Sequence, residues 1–271
     1  MRRLLGVLCL VGLGACGGPS GGPDPRSATA SDPAGVLHTT PTSLLPTTTT
    51  SQPPREAVVV LDPGHNGGNA AAPGEINQQV PAGRGRTKAC NTTGTASEDG
   101  YPEHAFTFDV ARRVRELLET RGVTVTLTRT SDVGVGPCVN RRAAIGNKAD
   151  ADAVVSIHAD GNTDQAAEGF HVAYSAPPLN DAQGEPSTRL ARAMRDGLRD
   201  AGRPVSSYLG SDGLAPRDDL AGLNLSERPA VLVECGNMRH PREAAAMATA
   251  GGRQEYADAI AAGVLSYLRA G

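Results

Sequence analysis

Two histidines and one glutamate stand at or just after the ends of short runs of β-branched residues. They are His65, His158 and Glu234. Imidazole nitrogens and carboxylate oxygens bind divalent metal ions, and a carboxyl group can also transfer protons. Taken alone, each residue has a simpler interpretation, as a turn histidine, a histidine at a sheet edge or one half of a buried ion pair. Because the chain has only 6 histidines, two at strand ends favour a shared site.

The elements that must position these residues are predicted by the apolar pattern. Strands are indicated at Ala57–Leu61, Val123–Leu127, Ala153–Ile157, Phe170–Tyr174 and Ala230–Val233. Apolar residues at three- and four-residue spacing predict helices over Phe106–Leu118, Leu190–Leu198 and Ile260–Leu268. This alternation predicts an α/β fold, a single domain with a twisted, mostly parallel sheet and helices on both faces. Ligands bind such sheets at the carboxyl ends of the strands, where the three residues stand.

Four motifs, in order, resemble the zinc-dependent N-acetylmuramoyl-L-alanine amidases of bacterial cell walls, the type 3 family. They are LDPGH at Leu61–His65, PEH at Pro102–His104, VSIHAD at Val155–Asp160 and PAVLVECGN at Pro229–Asn237. The resemblance covers residues 57–268. It implies that His65, Glu103 and His158 bind one zinc ion per molecule and that Glu234 is the catalytic carboxylate.

The chemistry of these residue types agrees with that implication. Two imidazoles and one carboxylate occupy three of the four tetrahedral positions of zinc and leave one for water. Glu234 would follow a buried strand, and burial raises the pKa of a carboxyl group toward the range of a general acid and base. Glu103 could equally be an acid stabilised by a helix N-terminus. Glu98 is the competing third ligand.

The chain departs from the family pattern at two places. Asn66 precedes the paired glycines that usually follow the first histidine, and Gly236–Met238 replace the usual residues after the catalytic glutamate. These departures limit what can be transferred about the substrate pocket. The segment Asn140–Arg142 resembles a family helix in which an arginine orders the site. We assign that substrate-ordering role to Arg141, with a solvated helix face as the alternative.

The N-terminal residues have the pattern of an export signal and a tether. Two arginines precede the apolar run Leu4–Leu13, which is too short to span a bilayer, and Leu13–Cys16 resembles a bacterial lipobox. We expect a lipoprotein signal peptide over residues 1–16 with lipidation at Cys16; an ordinary cleaved signal is the alternative. Pro, Gly, Ser and Thr make up 26 of the 39 residues from 17 to 55, which predicts a disordered tether. The catalytic domain is then 56–271.

Three cysteines remain after the signal segment in an oxidising compartment: Cys90, Cys138 and Cys235. We predict a disulfide between Cys90, in a long polar loop over Asn66–Gly100, and Cys138, in a turn before a helix. Cys235 follows the catalytic glutamate in a predicted buried strand. Thiol catalysis at Cys235 is an alternative, and its role stays open.

Charge and composition restrict the partners. The formal net charge is −3, and the chain has no tryptophan, 5 tyrosines and 3 phenylalanines, so it lacks the basic surface and stacking residues of nucleic-acid binders. The expected enzyme is a monomeric, exported hydrolase of peptidoglycan. It would act in the cell envelope, lipid-anchored to the outer face of the cytoplasmic membrane or wall-associated, with that lipid as its only membrane contact. The alternatives are another envelope zinc peptidase acting on stem peptides and a non-catalytic wall-binding lipoprotein.

Overall fold

The apolar runs of the sequence form the middle of a six-stranded sheet in residues 56–270, the part of the chain that this computed structural model describes. The strands are β1 (Val58–Pro63), β2 (Gln79–Gly83), β3 (Arg86–Ala89), β4 (Thr124–Leu127), β5 (Ala153–Asp160), β6 (His171–Ser175), β7 (Leu214–Arg217) and β8 (Ala230–Asn237). β2 and β3 form a separate hairpin, and the other six follow the order β4-β1-β5-β8-β6-β7. All five predicted strands are present, whereas β7 and the hairpin were not predicted.

The direction of the strands decides which ends meet. β1 pairs in parallel with both β4 and β5, and β5 pairs in parallel with β8. β6 is antiparallel to β8, and β7 runs parallel to β6. The carboxyl ends of β1, β5 and β8 therefore share one edge of the sheet, and the amino end of β6 joins them there. The predicted mostly parallel α/β fold is confirmed.

Helices cover both faces of the sheet. They are α1 (Pro73–Ile76), α2 (Glu103–Glu119), α3 (Val139–Lys148), α4 (Glu185–Asp200), α5 (Ala221–Asn224), α6 (Pro241–Ala248) and α7 (Ala250–Arg269). α7 packs against α2, α4 and α6, and α3 packs against α5. α2 buries Phe106, Val110, Val114 and Leu118 at four-residue spacing, so one stripe of the helix faces the sheet. Gly122, with φ of 75°, follows its end.

Strand alternation separates the core from the site. In β5, Val155 and Ile157 enter the larger apolar core beside Phe106 and Leu61. The residues between them face the opposite side, because successive side chains of a strand alternate. Ser156 and His158 therefore point toward the face that α3 and α5 border. Burying each large core side chain stabilises the fold by about 1.5–3 kcal/mol, so this register is firmly specified.

The segment Asn66–Gly100, predicted as a long polar loop, contains regular structure. α1 and the β2–β3 hairpin lie within it, and the Asn224 side chain of α5 donates to the Ala82 carbonyl at 3.0 Å. Of the two hairpin strands only Ala82 of β2 is buried, and β2 packs against α5 and α3. Within residues 56–270, no helix is both long and apolar enough to cross a membrane.

Candidate functional site

Three potential metal ligands converge at the carboxyl ends of β1 and β5. His65 follows β1, Glu103 is the first residue of α2, and His158 lies in β5. Their ligand atoms all lie within 4.8 Å of one another. Glu103 Oε1 is 3.1 Å from His65 Nε2 and 3.0 Å from His158 Nδ1. The structure thus brings together the three side chains that the resemblance indicated as ligands.

The backbone around His65 is held in an unusual conformation. His65 has a φ of 60°, in the left-handed region that costs a non-glycine residue about 1–3 kcal/mol. The preceding Gly64 donates its N–H to the Ile157 carbonyl at 3.0 Å. A Cβ atom on Gly64 would lie 2.3 Å from Cε1 of His158. Only glycine therefore lets the chain pass this close to the second imidazole.

Two buried arginines hold this strained turn by its carbonyl groups. Arg142 donates to the Pro63 carbonyl at 2.6 Å and to the His65 carbonyl at 2.8 Å. Arg129 donates to the same Pro63 carbonyl at 2.9 Å and to the Gly64 carbonyl at 3.2 Å. These charge-assisted hydrogen bonds supply the constraint that keeps His65 in its conformation.

The arginine that orders this turn is one residue from the predicted one. The sequence interpretation assigned an ordering role to Arg141, but its side chain is exposed on α3. The buried positions of α3 are Arg142, Ala143 and Gly146, which follow the helical spacing of three to four residues. Arg142 therefore faces the sheet and the site, and Arg141 faces away from them.

The Glu103 carboxylate is fixed by backbone donors. Oε2 accepts the N–H of Thr95 at 2.9 Å, and Oε1 accepts the N–H of Ala159 at 3.1 Å. Burial raises the pKa of Glu103, but the His65 and His158 imidazoles outweigh burial and hold this pKa well below its ordinary value. Glu103 is therefore an ionised carboxylate whose orientation is fixed by the backbone.

Glu98, the competing ligand, lies outside this cluster. Its side chain is 61% exposed and accepts a hydrogen bond from Arg239 at 2.7 Å. Glu98 precedes α2 by several residues, whereas Glu103 opens the helix over the sheet edge. Of the two candidate ligands, only Glu103 therefore lies beside the two histidines, because it stands at the start of α2.

His65 is oriented through its second ring nitrogen. Nδ1 lies 3.1 Å from the Thr92 carbonyl, which leaves Nε2 directed toward Glu103. Burial lowers the pKa of His65, but the Glu103 carboxylate outweighs it and the pKa is raised. A backbone carbonyl on the distal nitrogen is the usual support of a zinc-binding histidine. The residues present therefore suit a zinc ion, with two imidazoles and a carboxylate as donors.

Glu234 stands beside this cluster. In register it pairs with His158, so the two side chains share one face of the sheet. Its Oε2 atom is buried and has no hydrogen-bond partner within residues 56–270. Burial, with the neighbouring carboxylates of Glu103 and Asp160, raises the pKa of Glu234 well above its ordinary value, against a smaller opposite effect of Arg217. A carboxyl group with a raised pKa is suited to accept and return a proton as a general base and acid.

Sequence reasoning gave no role to four further residues near Glu234: Asp160, which it noted only as part of the VSIHAD motif, and His171, Tyr208 and Arg217. Each of them affects the pKa of Glu234 or contacts a residue that does. His171 opens β6, whose antiparallel pairing brings it directly opposite Glu234. The apolar run predicted this strand but not its direction, so the only available signal was a histidine at a strand start.

The predicted disulfide between Cys90 and Cys138 is present, with a Cα–Cα distance of 4.4 Å. It joins the segment that supplies Thr92 and Thr95 to the start of α3. Cys235 is free and buried in the larger core, on the face of β8 opposite to Glu234. Burial raises its pKa well above the ordinary value, so Cys235 is a core thiol rather than a nucleophile.

A cavity of about 400 Å³ opens beside the cluster on the same face of the sheet. Its polar end includes the three ligand residues and Glu234. The remaining wall comes from the segment 91–95 and from β5, β8, α3, α5 and β3. Its apolar side chains include Val139, Val154, Leu220, Leu223 and Leu232.

Comparisons with known proteins give one consistent result. A family model described as N-acetylmuramoyl-L-alanine amidase matches residues 59–266. The chain is 50% identical over 211 residues to N-acetylmuramoyl-L-alanine amidase Rv3717 of Mycobacterium tuberculosis, covering 78% of this chain and 86% of that protein. It is 30% identical over 244 residues to AmiA of Escherichia coli, covering 78% and 76%. The crystal structure of amidase Ami1 from Mycobacterium smegmatis aligns with a TM-score of 0.77 at 52% identity, covering 79% and 98%.

Proposed function

The chain belongs to the N-acetylmuramoyl-L-alanine amidase family, and we propose that it uses one zinc ion held by His65, Glu103 and His158. The family resemblance noted in the sequence is confirmed. The protein is a hydrolase that cleaves the amide bond between N-acetylmuramic acid and L-alanine in peptidoglycan. Zinc as the metal, the ligand set and the catalytic role of Glu234 are the proposed parts.

In the proposed mechanism, Glu234 moves the protons. Its carboxylate accepts a proton from a water molecule as the water oxygen attacks the lactyl carbonyl carbon. When the carbon–nitrogen bond breaks, Glu234 returns the proton to the leaving nitrogen of L-alanine. The products are a free lactyl carboxyl group on the sugar and a peptide with a free amino terminus. Bound at the three ligands, zinc supplies Lewis-acid chemistry that polarises the carbonyl and makes water more acidic.

One observation carries the proposal: Glu234 is the register partner of His158, while His158 Nδ1 faces the Glu103 carboxylate at 3.0 Å. The proposed metal ligand His158 and the proposed proton carrier Glu234 therefore lie side by side on two adjacent strands, β5 and β8. The buried Oε2 of Glu234, which has no hydrogen-bond partner among the described residues, also favours a group that binds a water molecule.

Metal content and turnover together test the roles of the glutamates. We expect Glu234→Gln to retain about one zinc per molecule and to lose activity by roughly 10² or more, since only proton transfer is removed. Glu103→Ala should lose the metal first. Glu98→Ala is the matched control, because this exposed glutamate lies outside the cluster. Zinc loss in Glu98→Ala with retention in Glu103→Ala would make our third ligand wrong.

The bond that is cleaved is tested by mass spectrometry of digested peptidoglycan. An amidase releases intact stem peptides that begin with L-alanine and leaves unsubstituted glycan strands. Peptides shortened internally or at their D-alanine end, with muramic acid still substituted, would instead support the stem-peptide peptidase. Family membership favours the amidase over that alternative and over a non-catalytic wall-binding protein.

For the N-terminal part we propose a lipoprotein signal over residues 1–16, lipidated at Cys16, a tether over 17–55 and a monomeric catalytic domain over 56–271. Residues 1–55 lie outside the described part of the chain. Their sequence supports this proposal through the lipobox pattern and the Pro/Thr-rich composition. Cys16→Ala should move the protein out of the membrane fraction while the activity of the released protein persists. Unchanged membrane association would contradict the lipid anchor.

A further inference from the structure

Glu234 belongs to a row of side chains that crosses three strands on the cavity side of the sheet. His158 of β5 pairs with Glu234 of β8, and His171 of β6 pairs with Glu234 from the other side. Residues directly opposite in an antiparallel pair have Cβ atoms about 4.5–5.5 Å apart. Glu234 therefore has a proposed metal ligand on one side and a second histidine, not used by the mechanism above, on the other.

Two polar atoms in this row are buried without a partner. Glu234 Oε2 and His171 Nδ1 are both inaccessible, and neither forms a hydrogen bond to the described residues. His171 as a whole is only 2% exposed. An unpaired buried polar group costs about 1–3 kcal/mol, so two on paired neighbours call for a common explanation. The two atoms do not hydrogen-bond directly to each other, and one water molecule between them would satisfy both.

The surroundings keep His171 neutral. Burial is the largest effect on the pKa of His171 and lowers it to about 4. The Asp160 carboxylate opposes this decrease, whereas the Arg217 guanidinium adds to it. The Tyr208 ring packs edge-on against the imidazole, with ring centroids 6.2 Å apart. A neutral imidazole has one N–H donor and one acceptor nitrogen, so it pairs with a carboxyl group without forming a fixed ion pair.

We propose that His171 is a positioning residue for Glu234: its Nδ1 binds Oε2 through one water molecule and holds the carboxyl group toward the proposed metal ligands. The inference rests on the proposed function, because it assumes that Glu234 carries the proton. An unrestrained carboxyl group samples several rotamers, and only some of them reach the attacking water and the leaving nitrogen. Fixing one rotamer on a rigid strand keeps the proton carrier in place throughout the reaction.

Substitutions at His171 test the inference through the rate constants. His171→Leu removes both ring nitrogens, and kcat should fall about tenfold while KM and zinc content stay unchanged. His171→Asn places an amide nitrogen near the position of Nδ1 and should keep most of kcat. His171→Gln places its amide nearer to the position of Nε2 and should behave like leucine. The Asn and Gln pair decides the question even if His171→Leu does not fold.

A double-mutant cycle separates positioning from a purely structural role. In a Glu234→Gln background, His171→Leu should cause no further loss of the residual turnover, because its effect acts through the Glu234 carboxylate. The control is His240→Leu, which removes a buried histidine that also has an unpaired Nδ1 but does not pair with Glu234. It should keep wild-type kcat.

The outcomes distinguish this inference from the proposed function. Full activity of Glu234→Gln would overturn the role of Glu234 itself. If Glu234→Gln loses activity but His171→Leu keeps full kcat, only the positioning role of His171 is overturned. The same follows if His171→Leu lowers kcat equally in the wild-type and Glu234→Gln backgrounds. Equal kcat values for the Asn and Gln variants would overturn it as well.

Discussion

Replacing Asp62 with asparagine should weaken both the fold and the metal site. The Asp62 carboxylate accepts hydrogen bonds from Thr128 Oγ1 at 2.6 Å, Ser156 Oγ at 2.7 Å and Arg142 Nη1 at 2.8 Å. Arg142 in turn holds the carbonyl of His65. Asparagine removes the only negative charge that this buried guanidinium contacts in the described residues. Breaking a buried ion pair in this way costs about 3–5 kcal/mol of unfolding free energy.

The pKa of Asp62 gives an independent magnitude. Burial raises this pKa, but Arg142 and the two hydroxyl groups outweigh burial and lower it from 3.8 to about 2. At 1.36 kcal/mol per pKa unit, the ionised carboxylate stabilises the folded state by about 2.5 kcal/mol at neutral pH. Because the folded pKa lies below the unfolded one, this stabilisation is present above pH 4 and is lost as the pH falls toward 2. Between pH 5 and pH 3 the loss is about 1 kcal/mol.

Urea denaturation of the metal-free protein at pH 7, 5 and 3 measures both effects. Asp62→Asn should be less stable than wild type by about 3 kcal/mol at pH 7, with a pH dependence between 5 and 3 shallower by about 1 kcal/mol. The matched control is Asp196→Asn, which removes the surface ion pairs of Asp196 with Arg195 and Arg199 on α4 and should cost about 1 kcal/mol or less. The same slope in wild type and Asp62→Asn, or equal losses in Asp62→Asn and Asp196→Asn, would refute the reasoning.

Three further predictions follow from the same contacts. Gly64→Ala places a methyl group 2.3 Å from the His158 ring and should lower zinc affinity at least about tenfold by titration, whereas Gly74→Ala, which meets nothing within 4 Å, should not. Replacing both Cys90 and Cys138 with serine removes a disulfide between residues 48 positions apart and should lower the unfolding free energy by about 4 kcal/mol. A loss below about 1 kcal/mol would contradict this. Removing the metal with a chelator should lower Tm, because zinc at 100 times its Kd adds about 2.7 kcal/mol; an unchanged Tm would argue against a metal bound by the folded state.

Contacts between distant segments decided what the sequence interpretation left open. Glu98 and Glu103 were both candidates, and the start of α2 over the sheet edge places Glu103, not Glu98, beside the two histidines. Arg141 was assigned the ordering role that the helical phase of α3 gives to Arg142. These choices depend on how a helix rotates against the sheet, which no local pattern of residue types specifies.

The strand ends that carry the site were determined by the sequence alone. Apolar β-branched runs predict buried strands, and parallel strands gather their carboxyl ends at one edge, so His65, His158 and Glu234 had to meet there. Only the tertiary structure set the antiparallel direction of β6, which puts His171 against Glu234, and the packing of the β2–β3 hairpin on α5. Burial of apolar residues is encoded locally, because it depends on period and composition. Strand direction and lateral neighbours depend on contacts between segments far apart in the chain, which the sequence pattern does not specify.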